Sequence, residues 1–259
     1  MAATYLDAIL ARHRATAATD TRRIEPLLDA ARAMPTARGF RAALAGRDRL
    51  GVIAEIKRRS PSKGDLNVGL DPAALATTYE RGGAACLSVL TDEAAFGGSA
   101  EDLAAARAAC ALPVLRKDFT VSELDVVDAR LMGADCVLLI AAALDRAELV
   151  GFHALATDIG LDVLVEIHDE AELAHALDAD ASLVGVNQRD LVTFDVDHDR
   201  ASRMAGVIPD VAVKVAESGV RNGADARALE DAGYDAVLVG ETLVTSGDPA
   251  AAIGQLIGP

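Results

Sequence analysis

The run Asp162-Val-Leu-Val-Glu-Ile167 decides the fold of the whole chain. It is too short for a helix and apolar on both faces, the pattern of a strand covered from both sides. One carboxylate, Glu166, sits inside it. Seven further runs share this build: Gly51–Lys57, Ala85–Leu90, Pro113–Arg116, Asp135–Ile140, Ser182–Asn187, Val211–Ala216 and Asp235–Gly240. Ala-, Leu- and acid-rich stretches with helical spacing lie between them, among them 71–81, 99–109, 122–131, 145–158 and 169–177. Asp71-Pro72 reads as a helix cap followed by proline at the first helical position. Gly82-Gly83, Gly133, Gly160 and Gly233 read as helix stops. Eight strand–helix units imply parallel strands joined by right-handed crossovers. Closure removes both sheet edges, and no Gly-rich dinucleotide fingerprint favours an open doubly wound sheet. The expected fold is therefore α/β, a (β/α)8 TIM barrel with an N-terminal helical extension, with 1–259 as a single barrel domain.

Residues 1–46 precede the first run. They read as an extension packed on the barrel: one amphipathic helix from Thr4 to about Ala17, then an irregular arginine-rich stretch. Acids and arginines are mixed into this N-terminus, unlike a signal peptide. No run of about 18 apolar residues suggests a membrane span. A soluble cytoplasmic protein is expected. Cys86, Cys110 and Cys136 are odd in number and lack CxxC spacing, so neither a disulfide framework nor a metal site is expected. Cys86 and Cys136 fall in apolar runs and read as core.

The formal net charge is −15. That excludes sequence-independent binding to nucleic acid. Lysine occurs only at 57, 63, 117 and 214, while arginine and acids abound. Abundant surface acid with little lysine is the pattern of a high-salt cytoplasm, such as that of a halophilic archaeon, where screening relieves self-repulsion. An ordinary acidic protein is the alternative. An anionic substrate would need local positive charge to offset the global field.

In such barrels the chemistry sits at the C-terminal ends of the strands. Glu55 and Lys57 end the first run two residues apart and share one face. They form either an inward charged pair or a surface ion pair. Lys117 ends the third run, with Phe119 two residues on. It is either a solvated loop lysine or an ammonium whose pKa a partly dry site lowers, fit for general acid work. Glu166 is costly to bury unless it is paired or functional. His168, next along, reads as loop turning into helix, with no part in catalysis. Asn187 and Arg189 share parity after the sixth run; Arg189 suits a carboxylate ligand or a structural acid such as Asp190. Ser218-Gly219 and Gly240-Glu241 follow the seventh and eighth runs, where many barrels hold phosphate on backbone N–H groups. Phe96, in a glycine-rich loop, either stacks on an aromatic ring or plugs the loop.

These segments in order, AEIKRRSPSKG (54–64), LSVLTDEAAFGGS (87–99), PVLRKDF (113–119), LVEIHDEAEL (164–173), GVNQRDL (185–191), VAESGV (215–220) and VGETL (239–243), resemble the indole-3-glycerol-phosphate synthases. The match falls on seven of the eight strand ends and runs from about residue 50 to the C-terminus. The N-terminal helix is also similar to that family's extension.

The resemblance implies ring closure of a carboxyphenylamino-deoxyribulose phosphate, with loss of carbon dioxide and water, in tryptophan biosynthesis. It implies Lys117 as general acid, Glu166 as its proton-transferring partner, and Lys57 as a substrate contact and second acid. Glu55 and Glu217 would tune the lysines, while Asn187 and Arg189 hold substrate groups. Ser60 lies in the first flexible loop. Ser218, Gly219, Gly240 and Glu241 match a phosphate pocket, and Leu90, Phe96 and Phe119 an apolar wall for the ring. No cofactor and no metal are implied, and the partner is a small phosphorylated molecule, handled by a monomer. Two departures stand out: Glu123-Leu124 replaces a Tyr-Gln-like pair, and Glu241 stands where some relatives have serine. The alternatives are a phosphoribosylanthranilate isomerase, whose cysteine at the first strand end is missing here, and an inactive phosphate-binding barrel.

Overall fold

Along every strand of the barrel, alternate residues enter two different cores. The computed structural model describes residues 4–190 and 192–258. Its barrel strands are β1 (Gly51–Ile56), β2 (Cys86–Leu90), β3 (Val114–Lys117), β4 (Cys136–Ile140), β5 (Asp162–Ile167), β6 (Leu183–Asn187), β7 (Val213–Glu217) and β8 (Ala236–Val239). All pair in parallel in the order β1-β8-β7-β6-β5-β4-β3-β2, and β2 closes on β1. The (β/α)8 expectation is met.

Val52, Ala54 and Ile56 of β1 face an outer core shared with the surrounding helices. Ile53 faces an inner core with Leu115, Leu138, Leu164, Leu183, Val215 and Leu238. Side chains alternate along a strand, so the residue two beyond each inner position must also face the barrel axis. That places Glu55 and Lys57 above Ile53, Lys117 above Leu115, Glu166 above Leu164, Asn187 above Leu183 and Gly185, and Glu217 above Val215. The apolar floor and the charged upper layer are one pattern read at two heights.

The extension holds three helices: α1 (Tyr5–Thr19), α2 (Ile24–Arg32) and α3 (Phe40–Leu44). Thr4 and Asp7 cap α1 reciprocally, as a capping box. The irregular arginine-rich stretch is corrected here: it contains α2 and α3. Ile24, Leu27, Leu28 and Ala31 have helical spacing and pack on the outer core, a signal diluted by interspersed charges. Phe40 and Leu44 of α3 are fully buried against Ile53 and Cys86 and close the inner core from below. The seventh strand starts at Val213 rather than Val211, because a turn bonds the Ala212 N–H to the Pro209 carbonyl and leaves Val211 in solvent. Cys86 and Cys136 are buried, and all three cysteines are free.

Asp135 ties the extension to the lower rim. Its buried carboxylate accepts the backbone N–H of Arg38 at 2.8 Å and of Val114 at 2.9 Å, and pairs with the Arg107 guanidinium at 2.9 Å. Removing it strands a buried and a partly buried N–H donor and a partly buried cation. Asp135→Ala is expected to lower stability by about 3 kcal/mol, measured by chemical denaturation, with a folded active site retained.

Candidate active site

A cavity of about 640 Å³ opens at the C-terminal ends of the strands. Every sequence-derived site residue lines it: Glu55, Lys57, Ser60, Leu90, Phe96, Lys117, Phe119, Glu166, Asn187, Arg189, Glu217, Ser218, Gly219, Gly240 and Glu241.

At its floor the Lys117 ammonium lies among three carboxylates: Glu217 at 3.2 Å, Glu55 at 3.7 Å and Glu166 at 3.9 Å. Lys57 pairs with Glu55 at 2.6 Å, so the inward reading of Glu55 and Lys57 holds. All three glutamates are buried. Two glycines make room for them. A Cβ on Gly185 would stand 2.2 Å from a Glu217 oxygen, and one on Gly240 would stand 2.3 Å from a Glu55 oxygen. Larger residues at those positions would displace the carboxylates.

The electrostatics follow from this packing. Burial alone would lower the Lys117 pKa, but Glu217, Glu55 and Glu166 outweigh it and hold the ammonium above its usual range. The expected lowered lysine pKa is thus corrected, because carboxylates from three other strands surround it. Burial would raise Glu55, yet Lys57 and Lys117 hold it below the usual carboxylate value. Glu217 is the exception. Burial and the repulsion of Glu166 and Glu55 exceed the pull of Lys117, and its pKa is pushed up to about 7. Among the described residues, its carboxylate oxygens have no donor nearby other than the Lys117 ammonium. With Glu217 protonated, two carboxylates face two ammoniums.

Asn187 is already engaged within the protein. Its amide donates to Glu166 at 3.1 Å, and its oxygen accepts from the Ser218 hydroxyl at 2.8 Å and the Arg189 N–H at 3.0 Å. It fixes the Glu166 carboxylate and ties it to the loop after β7. Arg189 donates to the Phe194 carbonyl at 3.0 Å. Among the described residues no carboxylate comes within ion-pair distance of its guanidinium, so the Arg189–Asp190 pair is not formed. The Asp190 carboxylate instead accepts the N–H groups of Val192 and Thr193.

The two side walls differ in chemistry. Leu90, Phe96 and Phe119 form an apolar wall, with the phenyl rings stacked at 6.4 Å. Opposite them, Ser218 and Gly219 both take left-handed backbone angles, φ 64° and 77°. A non-glycine residue held there marks a turn fixed by its surroundings. The first N–H groups of the short helix Glu241–Val244 have no acceptor within it. Together these turns offer backbone donors to an anion. Lys63 and Arg221 line the same rim, each beside a carboxylate, Glu241 at 3.7 Å and Asp225 at 2.9 Å. Lys63 was overlooked, although lysine is rare here and it lies in the loop that follows Lys57.

The contacts of α1 have no signature in its residue pattern. Arg12 and His13 both bind the Asp92 carboxylate, His13 at 2.8 Å. Asp92 caps the turn that carries Phe96. The His13 ring lies 5.5 Å from Phe119, and Tyr5 packs edge-on against Phe194 at 5.4 Å. Arg14 pairs with Glu148 after β4. Helix α1 therefore straps loops from several sides of the mouth. His13, Asp92 and Asp118 cluster closely enough to suggest a metal site, but the Arg12 guanidinium already supplies the positive charge there.

Comparison with known proteins shows the family of the chain. The family profile described as indole-3-glycerol phosphate synthase matches residues 6–256. Indole-3-glycerol phosphate synthase 2 of Streptomyces coelicolor is 53% identical over 232 residues, covering 90% of each chain. The indole-3-glycerol phosphate synthase of Mycobacterium tuberculosis is 48% identical over 257 residues, covering 98% of this chain and 94% of its own. A thiamine phosphate pyrophosphorylase from Pyrococcus furiosus superposes with a TM-score of 0.60 at 15% identity, covering 80% of this chain and 93% of its own. That last likeness concerns the fold alone.

The state of Glu217 has a measurable consequence. Folded Glu217 holds a proton between about 4.5 and about 7 that the unfolded chain releases, so this group's contribution to stability falls as pH rises through that window. Glu217→Gln removes the titration. The variant should match the wild type in stability at acid pH and exceed it at pH 8 by on the order of 1–3 kcal/mol. Denaturation of both proteins across pH checks this, and a pH-independent difference contradicts it.

Proposed function

The chain belongs to the indole-3-glycerol phosphate synthase family, and we propose that it closes the indole ring of its phosphorylated substrate with the Lys117, Glu166 and Lys57 groups at the cavity floor. The observation that carries this reading is the Lys117 ammonium, buried among three carboxylates beside an apolar wall. A flat anthranilate ring fits the Leu90, Phe96 and Phe119 side. The phosphate fits the Ser218, Gly219, Gly240 and Glu241 turns opposite, with the last two acting through backbone N–H groups. Arg189 and Ser60 flank the chain between these ends. Asn187 holds Glu166 in place, and Glu55 and Glu217 set the charge of the lysines.

The chemistry then runs in three steps. The ring carbon that bears the carboxylate attacks the ketone carbon while Lys117 gives its proton to the ketone oxygen. Loss of carbon dioxide returns the bonding electrons to the ring and restores aromaticity. The new hydroxyl leaves as water after a second protonation, for which Lys57 and Lys117 are both in reach. Glu166 takes the proton released from the adjacent carbon. Two protons go onto the departing oxygen and one comes off carbon, so each turnover draws one proton from solvent. The high pKa of Lys117 suits this order, since the ammonium is fully charged when substrate arrives. The substrate's anionic groups meet local positive charge inside an acidic protein.

The proposed chemistry needs no group from a second copy, and we read the protein as a monomer. Three free cysteines support a reducing compartment such as the cytoplasm. Among the described residues no helix is long and apolar enough to cross a membrane. The lysine-poor acidic surface supports work in concentrated salt.

Lys117→Met is the direct test. Turnover to fluorescent indoleglycerol phosphate should fall by at least about a thousandfold, while the affinity for inorganic phosphate stays near that of the wild type. Retained turnover in this variant overturns the assignment.

A further inference from the structure

The solvent proton consumed in each turnover needs a route to the floor while the substrate fills the mouth. We infer that His168 is that route: a proton relay from a cleft on the outer side of the strands to Glu166. The inference rests on the proton-transfer role given to Glu166 above.

His168 follows β5 and lies between two spaces. It lines a second cleft of about 380 Å³ with Asp169, Glu170, Arg200 and Arg203. It does not line the active-site cavity, and Glu166 does not line the cleft. The imidazole joins the two. Its Nδ1 lies 3.0 Å from Glu172, which also accepts the His168 backbone N–H at 2.8 Å and so fixes the ring. Its Nε2 points the other way, 3.8 Å from the Glu166 oxygen that Asn187 also holds. That Nε2 is buried and has no hydrogen-bond partner among the described residues. A buried ring nitrogen left unbonded beside a carboxylate costs free energy unless the contact closes at some stage. Closing it to hydrogen-bond distance needs a movement of about 1 Å.

The groups facing the ring favour its charged form on balance. Burial opposes the charge, as does Arg200, but Glu172 and Glu166 outweigh them and raise the His168 pKa. Asp190 adds a further acid nearby. In the transfer, the imidazolium gives its Nε2 proton to Glu166 and keeps its Nδ1 proton; the neutral ring then releases Glu172, turns Nε2 to the cleft, takes a proton from solvent there and turns back. No other covalent bond changes. Glu166 then returns that proton to the floor, where the lysine that protonated the departing oxygen needs it.

His168→Ala tests the relay because it opens a hole beside the cleft. Turnover (kcat) is expected to fall about tenfold with KM nearly unchanged, and added imidazole should restore most of the rate. His168→Gln keeps the ring's approximate volume and a bond to Glu172 but carries no titrating proton. It should fold as the wild type and show the same fall in kcat. Either variant at the wild-type rate overturns the relay, as does an Ala variant that imidazole leaves unchanged. A Glu166→Gln variant with wild-type turnover would instead remove the Glu166 role, and the relay with it.

Discussion

The Lys117 ammonium, held by Glu55, Glu166 and Glu217 inside a barrel of apolar strands, is the interaction on which the rest of the molecule depends. Three carboxylates and a lysine are expensive to bury separately and tolerable only together. Each comes from a different strand, and none is close in sequence to the others. The barrel must close in one register for them to meet. Asn187 stands opposite Glu217 in the β6–β7 pairing, and Leu90 stands opposite Lys117 in the β2–β3 pairing. A slip of one residue in any strand would turn its charged group out into the helical layer.

The same constraint explains small residues that a catalytic list leaves out. Gly185 and Gly240 are gaps into which glutamate oxygens fit. Their role is spatial, and Gly240 also begins the short helix at the rim. The α1 helix works from above. It ties Asp92, and through it the turn of Phe96, to a helix that lies outside the barrel in sequence. The apolar wall is thereby held by charged contacts on its outer side.

Much of this was legible in the sequence, for physical reasons. A charge inside a short apolar run is costly, so Glu55, Glu166 and Lys117 announced themselves, and period-two alternation gave their direction. Glycine after the last strands marked the turns proposed to hold the phosphate. Other features depended on contacts between distant segments. The pKa of Lys117 was expected to fall because burial is local and visible, whereas the three carboxylates that raise it come from distant strands. Helix α2 was hidden because arginines interrupt its apolar stripe. His168 looked like a loop residue because nothing in one sequence shows that its ring separates two spaces. Val211 looked like strand until the turn before it exposed the side chain.

Lys117 rests as an ammonium, stabilised by three buried carboxylates. Side-chain ¹⁵N NMR of the lysines tests it most directly, since the chain has only four and a single substitution identifies the Lys117 signal. The Lys117 Nζ is expected to keep its ammonium shift as pH rises to 10.5 and to titrate only above it. A Lys117 signal that loses its proton below 10.5 would contradict it.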